Sequence, residues 1–590
     1  MSLSIEGEVS EFPSFISILC NECNGIGLDK LIVCIAVIFF YKKQWHLLYE
    51  IKSFIIKSLT VLFSVFMVIG ISFSSNGSFV FINGSFSQFI VSVLVFVGYY
   101  CLFNVSITFL FKKLDVVNIL GFLFKINFLE KLNQSRIIQK HYFAFATLAI
   151  MAGWLPYIII FFPGSVPWDG RRQISEGAGY LKLTNHHPWI VSKFMGLLMQ
   201  LGQLISDNAG VFLIVVVFMV IEALCYGFVC CKVKKYMGKY LFFISILFFA
   251  LMPAFAAFSC VVLKDGLNAA LVAYFMAIYI DCCMKANQQQ LSVKDFVWLG
   301  ISALLVCITR KNGVYLVLPQ CLCLAAWVKK RKQILCVVLL SISILAGQII
   351  TDIKLPEYLG VVKGSEREML SIPFQQTARY LLYFPEDVTV EEQAAIDVVL
   401  SFDQIAEEYY PEKSDAVKSM YKGTEGNEEL KNYFKAWFSM LKKHPEIYLE
   451  ATLEGSYGYL YPFRNCIASE RYFFYTIPAT NGSMYWHYLF SNEIRIRMEA
   501  YADLWVSVPI LAQLMNPGTY TWLILILAAY IIYKKRTKGI LMYVACFMNI
   551  LVCIASPVNG LLRYALPLMA CMPLLIGWSY HYCKNFEENL

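Results

Sequence analysis

Four short polar stretches that interrupt the long apolar segments of this sequence contain ionisable residues that could form a site. The longest stretch, 163–188, reads PGSVPWDGRRQISEGAGYLKLTNHHP, and the other three contain VVLKDG, ITRKNG and NGLLRY. Their candidate functional residues are Asp169, Arg171, Arg172, Glu176, His186, His187, Lys264, Arg310, Lys311, Arg563 and Tyr564. Cations outnumber acids in this set, and the planar fork of an arginine binds paired phosphate oxygens. The pattern predicts a phosphate-binding site, and the alternative is a set of snorkelling cations and ordinary ion pairs such as Lys264 with Asp265.

The composition indicates that membrane helices hold these stretches in place. Hydrophobic residues make up 58% of the chain and charged residues 15%, whereas a soluble protein carries about a quarter charged residues. Because roughly 20 apolar residues cross the hydrocarbon core as a helix, we expect an all-α polytopic membrane protein with about thirteen transmembrane helices. The predicted spans are 24–41, 58–74, 86–111, 142–162, 211–231, 240–259, 266–281, 296–309, 312–328, 334–351, 518–533, 540–556 and 564–582.

The positions of lysine and arginine predict the topology, because short cytoplasmic loops are enriched in both. The clusters lie within 42–52, 112–140, 232–239, 285–294, 329–332 and 534–538. All of them face the cytoplasm if the N-terminus is outside, the C-terminus is inside, and the segment 189–206 lies in the membrane interface. Lys193, Gln200 and Gln203 favour such an interfacial helix. The net charge of +8 is then an anchor to the inner face, and nucleic acid is not an expected partner.

This topology divides the chain into three regions. Residues 1–352 form a transmembrane region with the first large outer loop at 163–188, residues 353–510 form a mainly helical extracytoplasmic domain, and residues 511–590 form the C-terminal transmembrane helices. Within the middle region Thr389 and Glu392 have the spacing of a capping box, and apolar residues follow at helical intervals as far as Tyr409.

Several of these motifs resemble a known superfamily. A first outer loop with an acid, here Asp169 in PWDG, followed by the His187-Pro188 pair at the start of the next helix, resembles the GT-C superfamily of polytopic glycosyltransferases. The PGxxxxD, HHPW, LKDG and RxNG motifs, with PFQQTARY at 373–380 and SPVNGLLRYALP at 556–567, look like an uncharacterised family of bacterial polytopic membrane proteins near that superfamily. This closer resemblance covers about 142–582.

The resemblance implies a membrane glycosyltransferase in a bacterial-type plasma membrane. It would move a sugar from a polyprenyl-phosphate carrier to an extracytoplasmic acceptor, which could be a cell-surface glycan, a lipid or a protein. Asp169 would be the general base, and Glu176 would share its work or orient Arg172. The donor phosphate would be bound by Arg171, Arg172, Lys264, Arg310, Lys311, Arg563 and Tyr564, and the substrate would contact His186, His187, Gln375, Gln376 and Arg379.

Purely structural roles for these residues, and other functions for the protein, stay open. Asp169 could cap a helix or pair with Arg171 or Arg172. Gln375, Gln376 and Arg379 could hold the extracytoplasmic domain on the membrane. Many GT-C enzymes carry a double acid in this loop, whereas Gly170 follows Asp169 here, so a divalent metal is doubtful and no cofactor is assigned. A flippase or exporter of lipid-linked sugars would have polar residues inside its spans. A polymerase or ligase of surface glycans would bind a diphosphate.

Overall fold

The computed structural model describes residues 28–50, 53–116, 134–423, 426–464, 471–478 and 484–584. Within these residues the regular structure is helical, and the extended contacts are isolated bridges. Eight of the described helices are long and apolar enough to cross a membrane: Phe54–Asn76, Phe86–Leu114, Tyr142–Ile160, Asp207–Leu251, Lys264–Asn287, Arg331–Tyr358, Thr537–Ile554 and Leu562–Lys584. The expected position of the N-terminus concerns residues 1–27, which lie outside the described residues.

The remaining predicted spans are helical but shorter. Leu28–Gln44 and Val293–Thr309 each have 17 residues, and Gly313–Ala326 and Pro517–Tyr533 are short apolar helices. The prediction of an all-α chain with many apolar helices is confirmed, and eight is the number that meets both length and hydropathy requirements among the described residues. The other helices of this region are Leu47–Glu50, Val80–Asn83, Arg136–Lys140, Trp168–Ala178, Trp189–Gln203 and Pro253–Ser259.

The 45-residue stretch Asp207–Leu251 is a helical hairpin. Gly238 has φ 78°, a left-handed backbone conformation that favours glycine, and it interrupts the helix. The ring of Tyr226 stacks on the ring of Phe249 with centroids 4.3 Å apart. In one straight helix these two residues would be about 34 Å apart, at 1.5 Å per residue. The chain therefore reverses at Gly238, between the predicted spans 211–231 and 240–259; the second helix ends at Leu251, and the short helix Pro253–Ser259 follows it.

Basic clusters from distant parts of the sequence lie at one end of the helix bundle. Lys234, beside the hairpin tip, lies over the Tyr142 ring at 3.7 Å, and Lys538 lies over the Trp327 ring at 4.3 Å. The ring of Tyr236, near the start of the hairpin turn, contacts the ring of His581, near the end of the last helix. We call this the basic end. The polar loop 163–188 lies at the opposite end, which we call the site end.

A second, smaller hydrophobic core lies in the segment 366–454, which we call the polar domain. Its helices are Glu366–Leu370, Ser371–Tyr383, Pro385–Asp387, Val390–Val399, Phe402–Ile405, Asp415–Ser419, Asn427–Lys443 and Pro445–Glu454. The capping box of Thr389 and Glu392 is confirmed. Downstream, the side chains of Tyr457, Phe473 and Trp486 join the main core of the apolar helices instead. Helices Asn492–Ser507 and Pro509–Leu514 follow and lead back to Pro517–Tyr533.

The helix Trp189–Gln203, which we call the interface helix, is amphipathic. It has 15 residues and is about 22 Å long, shorter than the roughly 30 Å hydrocarbon core. Gln200 and Gln203 donate hydrogen bonds to Ala178 and Tyr180 in the polar loop, whereas Leu197 and Leu201 are half exposed. This division of polar and apolar faces is typical of a helix that lies along a membrane surface.

Candidate functional site

Backbone pairing places Asp169 beside the start of the helix Lys264–Asn287. The amide of Ser165 donates to the carbonyl of Cys260 at 2.9 Å, and the amide of Val262 donates back to Ser165 at 2.8 Å. The chain then enters a helix at Trp168, which we call the loop helix (Trp168–Ala178). The two paired segments run parallel, and each enters a helix a few residues later. Asp169 therefore lies close to the Lys264 end of the neighbouring helix.

Glycines allow the loop helix to pack closely on both of its neighbours. A Cβ on Gly170 would lie 2.2 Å from the carbonyl oxygen of Val262, and a Cβ on Gly177 would lie 1.7 Å from the carbonyl oxygen of Ser192. Atoms cannot approach so closely, so any side chain at either position would push the loop helix away. The close packing fixes the position of Asp169 relative to the helices on both sides.

Four charged side chains from four separate stretches meet at this point. One arginine joins both acids, since Arg563 Nη2 donates to Asp169 Oδ2 at 2.8 Å and lies 3.2 Å from Asp265 Oδ2. Arg310 Nη1 lies 3.5 Å from the other oxygen of Asp265. The Asp265 side chain is fully buried, and neither of its oxygens has a hydrogen-bond partner. We call Asp169, Lys264, Asp265, Arg310 and Arg563 the charge cluster.

His187 connects the fifth member, Lys264, with Asp169. Lys264 Nζ lies 3.4 Å from His187 Nδ1, and His187 Nε2 lies 3.9 Å from Asp169 Oδ1. Burial and the neighbouring Lys264 charge hold the pKa of His187 well below its ordinary value, so the ring is neutral at pH 7. A neutral ring accepts from Lys264 at Nδ1, and its Nε2–H therefore faces Asp169.

The electrostatics of the charge cluster keep Asp169 ionised. Burial alone would raise the pKa of Asp169, but the charges of Arg563 and Lys264 and the hydrogen bond from Arg563 hold it well below its ordinary value. The cluster thus contains three cations and two carboxylates, and it carries an excess of positive charge. The Nε of Arg563 is buried without a partner. Such a site favours an additional anion.

Aromatic rings border the two arginines. The Arg310 guanidinium lies 5.0 Å from the Tyr564 ring, and the Arg563 guanidinium lies 5.3 Å from the same ring and 5.6 Å from Phe473. Arginine stacks favourably on aromatic faces. Of the predicted residues, the structure therefore brings together Asp169, His187, Lys264, Arg310, Arg563 and Tyr564.

The other charged residues of the loop helix have different contacts. Arg172 Nε donates to Glu176 at 2.8 Å, and the buried Glu176 also accepts from the amide and the hydroxyl of Thr184. Arg171 lies over the Trp168 ring at 4.6 Å and donates to the carbonyl of Pro478 at 3.5 Å. Glu176 therefore holds the end of the polar loop, and Arg172 lies beside it.

Lys311 and His186 lie outside the charge cluster. Lys311 donates to the carbonyl of Asn185, which in turn donates to the carbonyl of Asp352. His186 packs edge-on against His187. Burial lowers the pKa of His186, while the nearby Glu368 charge opposes that change. Lys311 therefore fastens the polar loop to the turn after Val293–Thr309, and Asn185 fastens it to the helix that ends near Tyr358.

The predicted substrate contacts in the polar domain are mainly structural contacts. Gln376 donates to Tyr448 and Thr452 and accepts from Trp437, so both ends of its amide are bonded inside the domain. Arg379 is almost fully buried; it pairs with Glu450 and Glu454 and donates to the carbonyl of Gly77. Gln375 donates to the carbonyls of Tyr410 and Pro411, but its Oε1 is buried without a partner.

Sequence reasoning missed two acids. Asp265 was treated only as the partner of Lys264, although it is the shared partner of two arginines. Glu222 lies inside the apolar helix Asp207–Leu251 and is buried; its carboxylate would lie 2.8 Å from a Cβ on Gly266. An acid within a long apolar segment was the available signal, because such residues are rare and functional by default. In the described part of the chain no group of three or more His, Cys, Asp and Glu residues could hold a metal ion.

The fold and this site define an all-helical protein with multi-pass membrane character and a buried cationic site at one end of the bundle. The chain belongs to DUF6020, a family of unknown function, which it matches over residues 178–588. The match includes His187, Lys264, Asp265, Arg310 and Arg563, whereas Asp169 lies before it. No curated protein and no solved structure matches the chain.

Proposed function

We propose that this chain is a membrane glycosyltransferase of GT-C type, with about thirteen spans, its N-terminus and site end outside the cell and its C-terminus in the cytoplasm. It transfers a sugar from a polyprenyl-phosphate carrier to an extracytoplasmic glycan, lipid or protein. The observation that carries this proposal is the charge cluster, which combines an excess of cations with one reachable acid. The side chain of Asp169 is 33% exposed, whereas that of Asp265 is 0% exposed.

The reaction uses the two parts of the cluster in different ways. An acceptor hydroxyl attacks the anomeric carbon of the donor sugar, and the bond from that carbon to the phosphate oxygen breaks. The phosphate leaves with the bonding electron pair, and Arg563, Arg310 and Lys264 stabilise its growing negative charge. Asp169 accepts the proton of the hydroxyl. The products are the new glycoside, the carrier phosphate and a protonated Asp169.

The resting ion pair explains how a weak base becomes active. With Arg563 2.8 Å away, the pKa of Asp169 is too low for efficient proton transfer. A donor phosphate competes for the same guanidinium. Weakening of the Asp169–Arg563 contact raises the pKa of Asp169 towards the pKa that the attacking hydroxyl has in the transition state. Donor binding thus prepares Asp169 to act as the base, and Asp169 stays inactive while no donor is bound.

Transport of a lipid-linked sugar is the second candidate, and Glu222 is the observation that favours it. A buried acid inside an apolar helix is typical of proton-coupled transporters. Glu222 approaches Gly266, which follows Lys264 and Asp265 in the same helix, so it lies near the charge cluster. A glycosyltransferase does not need a carboxylate at this depth, whereas a carrier that couples transport to protons does.

One experiment separates the two functions. Surface glycans are analysed by mass spectrometry in cells that lack the protein and in cells complemented with wild type, Asp169→Asn or Glu222→Gln. For a transferase, Asp169→Asn should reproduce the loss of one sugar residue, because a general base contributes typically 10²–10⁴-fold to rate, while Glu222→Gln should restore it. For a transporter, Glu222→Gln should reproduce the loss of the sugar residue, and Asp169→Asn should restore it.

Purified protein then tests Asp169 as the base. In nanodiscs with the donor identified from the missing sugar, Asp169→Asn should bind donor normally and transfer it far more slowly. Transfer at more than about a tenth of the wild-type rate would remove Asp169 from this role. Glu176→Gln is the matched control in the same helix, because Glu176 is bonded to Arg172 and Thr184 and should be dispensable for the chemical step.

A further inference from the structure

A small cavity, lined by apolar and polar residues, lies between the polar domain and the loop that precedes Arg563. It has a volume of about 20 Å³, enough for roughly one water-sized group. Its polar lining residues are Ser371, Gln375, Glu412, Ser414, Thr452 and Ser556. Ser556 belongs to the SPVNGLLRY run that continues into the helix Leu562–Lys584, so one wall of the cavity lies on the chain segment that leads to Arg563.

The lining presents hydrogen-bond acceptors. The amide nitrogen of Gln375 is committed to the carbonyls of Tyr410 and Pro411, which fixes the orientation of the amide and leaves Oε1 buried without a partner. The hydroxyls of Ser371 and Ser414 donate to the carbonyls of Glu368 and Pro557. A hydroxyl that has donated its proton offers only lone pairs to a ligand.

Two more lining residues have the same character. Thr452 donates to the carbonyl of Tyr448 at 2.8 Å, and Ser556 donates to the carbonyl of Val558 at 3.1 Å. Glu412 is an acceptor as well, but Arg464 lies 2.6 Å from its Oε1 and neutralises its charge. A ligand of this cavity must therefore donate hydrogen bonds, and a full positive charge is not required.

We propose that this cavity binds one hydroxyl group of a carbohydrate acceptor, with Gln375 Oε1 as the accepting atom. The proposal rests on the proposed glycosyltransferase function for the identity of the ligand as the acceptor. A phosphate or carboxylate is excluded by the shared acceptor character of the wall, whereas the charge cluster has the opposite preference. The two sites divide the substrates, since the anionic donor binds at Arg563 and the neutral acceptor binds beside Ser556.

A binding experiment without donor lipid tests this site. Protein in lipid nanodiscs, free of sugar-based detergent, is examined by saturation-transfer-difference NMR with the methyl pyranosides of glucose, galactose, mannose, rhamnose and N-acetylglucosamine. At least one of them should give a saturable signal. Gln375→Leu should weaken its binding at least tenfold, because the variant removes the unpaired acceptor.

Two further variants separate binding from folding. Ala451→Val fills the cavity from a lining residue that has no polar role, and it should weaken the same signal at least tenfold. Thr377→Val changes a buried hydroxyl in the same helix that bonds Pro373 and Tyr433 and does not line the cavity, so it should leave the signal unchanged. Unfolding of all variants is followed by tryptophan fluorescence.

Three results would overturn the assignment. They are the absence of a saturable signal with all five sugars, a signal that persists in both Gln375→Leu and Ala451→Val, and displacement of the sugar signal by methylammonium at a concentration lower than that of the sugar. None of them involves Asp169 or sugar transfer. Failure of this site therefore leaves the test of the proposed reaction intact, and failure of Asp169→Asn to block transfer leaves the binding result intact.

Discussion

Replacing Asp265 by asparagine should test whether the excess of cations in the charge cluster can bind an added anion. Asp265 is fully buried and touches no position that a ligand could reach, yet it lies between Arg310 and Arg563. The substitution keeps the size of the side chain and removes one negative charge. Three cations then face the single carboxylate of Asp169, and the cluster should bind an added anion more strongly than in the wild type.

The distances set the magnitude of the effect. At 3.5 Å and 3.2 Å, and with an effective dielectric constant of about 20, each contact corresponds to roughly 5 kcal/mol of gross attraction. Desolvation offsets much of this, and removing one partner of a buried ion pair usually costs about 3–5 kcal/mol. We therefore expect Asp265→Asn to lower the free energy of unfolding by about that amount.

Thermal unfolding in nanodiscs, followed by tryptophan fluorescence, measures both expectations. The variant should unfold several degrees below the wild type in sodium chloride. Exchange of chloride for phosphate at equal ionic strength should recover part of this loss in Asp265→Asn and change the wild type less. The recovery is expected because phosphate replaces the missing charge beside the arginines.

Asp281→Asn is the matched control at the basic end. Asp281 also lies between two cations, Lys232 and Lys235, but Lys235 is half exposed and water screens the pair. This variant should lose less stability and should not respond to phosphate at constant ionic strength. The reasoning about the charge cluster would be refuted if Asp265→Asn unfolded at the wild-type temperature, or if phosphate had the same effect on both variants.

The helices could be predicted from the sequence because length and hydropathy act locally. The predicted break between 211–231 and 240–259 rested on a lysine cluster, and the structure places the reversal at Gly238 within it. The number of helices that meet the length requirement was harder to predict, since Val293–Thr309 has only 17 residues although it is apolar after its first turn. Short helices of this kind depend on their neighbours for burial.

The composition of the charge cluster could be predicted only in part. Four of the candidate residues were expected to lie together and do so in the structure: Asp169, Lys264, Arg310 and Arg563. Each of them lies at a helix end on the same side of the bundle. Their partners could not be read from the sequence. Arg310 and Lys311 are adjacent, yet one contacts Asp265 and the other contacts Asn185, since a turn directs consecutive side chains differently.

Gln376 and Arg379 show a second limit of sequence reasoning. A polar residue in a helix of the polar domain is compatible with both ligand binding and domain packing. Which applies depends on residues far away in the chain: Arg379 reaches the carbonyl of Gly77, and Gln376 reaches Trp437. Gln375, one position before Gln376, has the free acceptor atom, and neighbouring side chains of one helix thus have different roles.

Two remaining predictions concern the topology and the polar domain. A cysteine at Lys330 should resist an impermeant maleimide in intact cells, whereas a cysteine at the exposed Lys431 should react; labelling of Lys330→Cys above the wild-type background would overturn the orientation and with it the extracytoplasmic site. Burial, with the charges of Glu412 and Glu450, raises the pKa of Glu454 to about 8 even though Arg379 opposes the shift. The folded protein therefore keeps a proton that the unfolded chain releases near pH 4.5, so this contribution to stability is fully present below that pH and is lost as the pH rises through about 8. Thermal unfolding at pH 6 and pH 9 should show a larger decrease for wild type than for Glu454→Gln, which cannot ionise. Equal decreases would mean that Glu454 is already ionised at pH 6 and that Arg379 holds two carboxylates at the junction with Gly77.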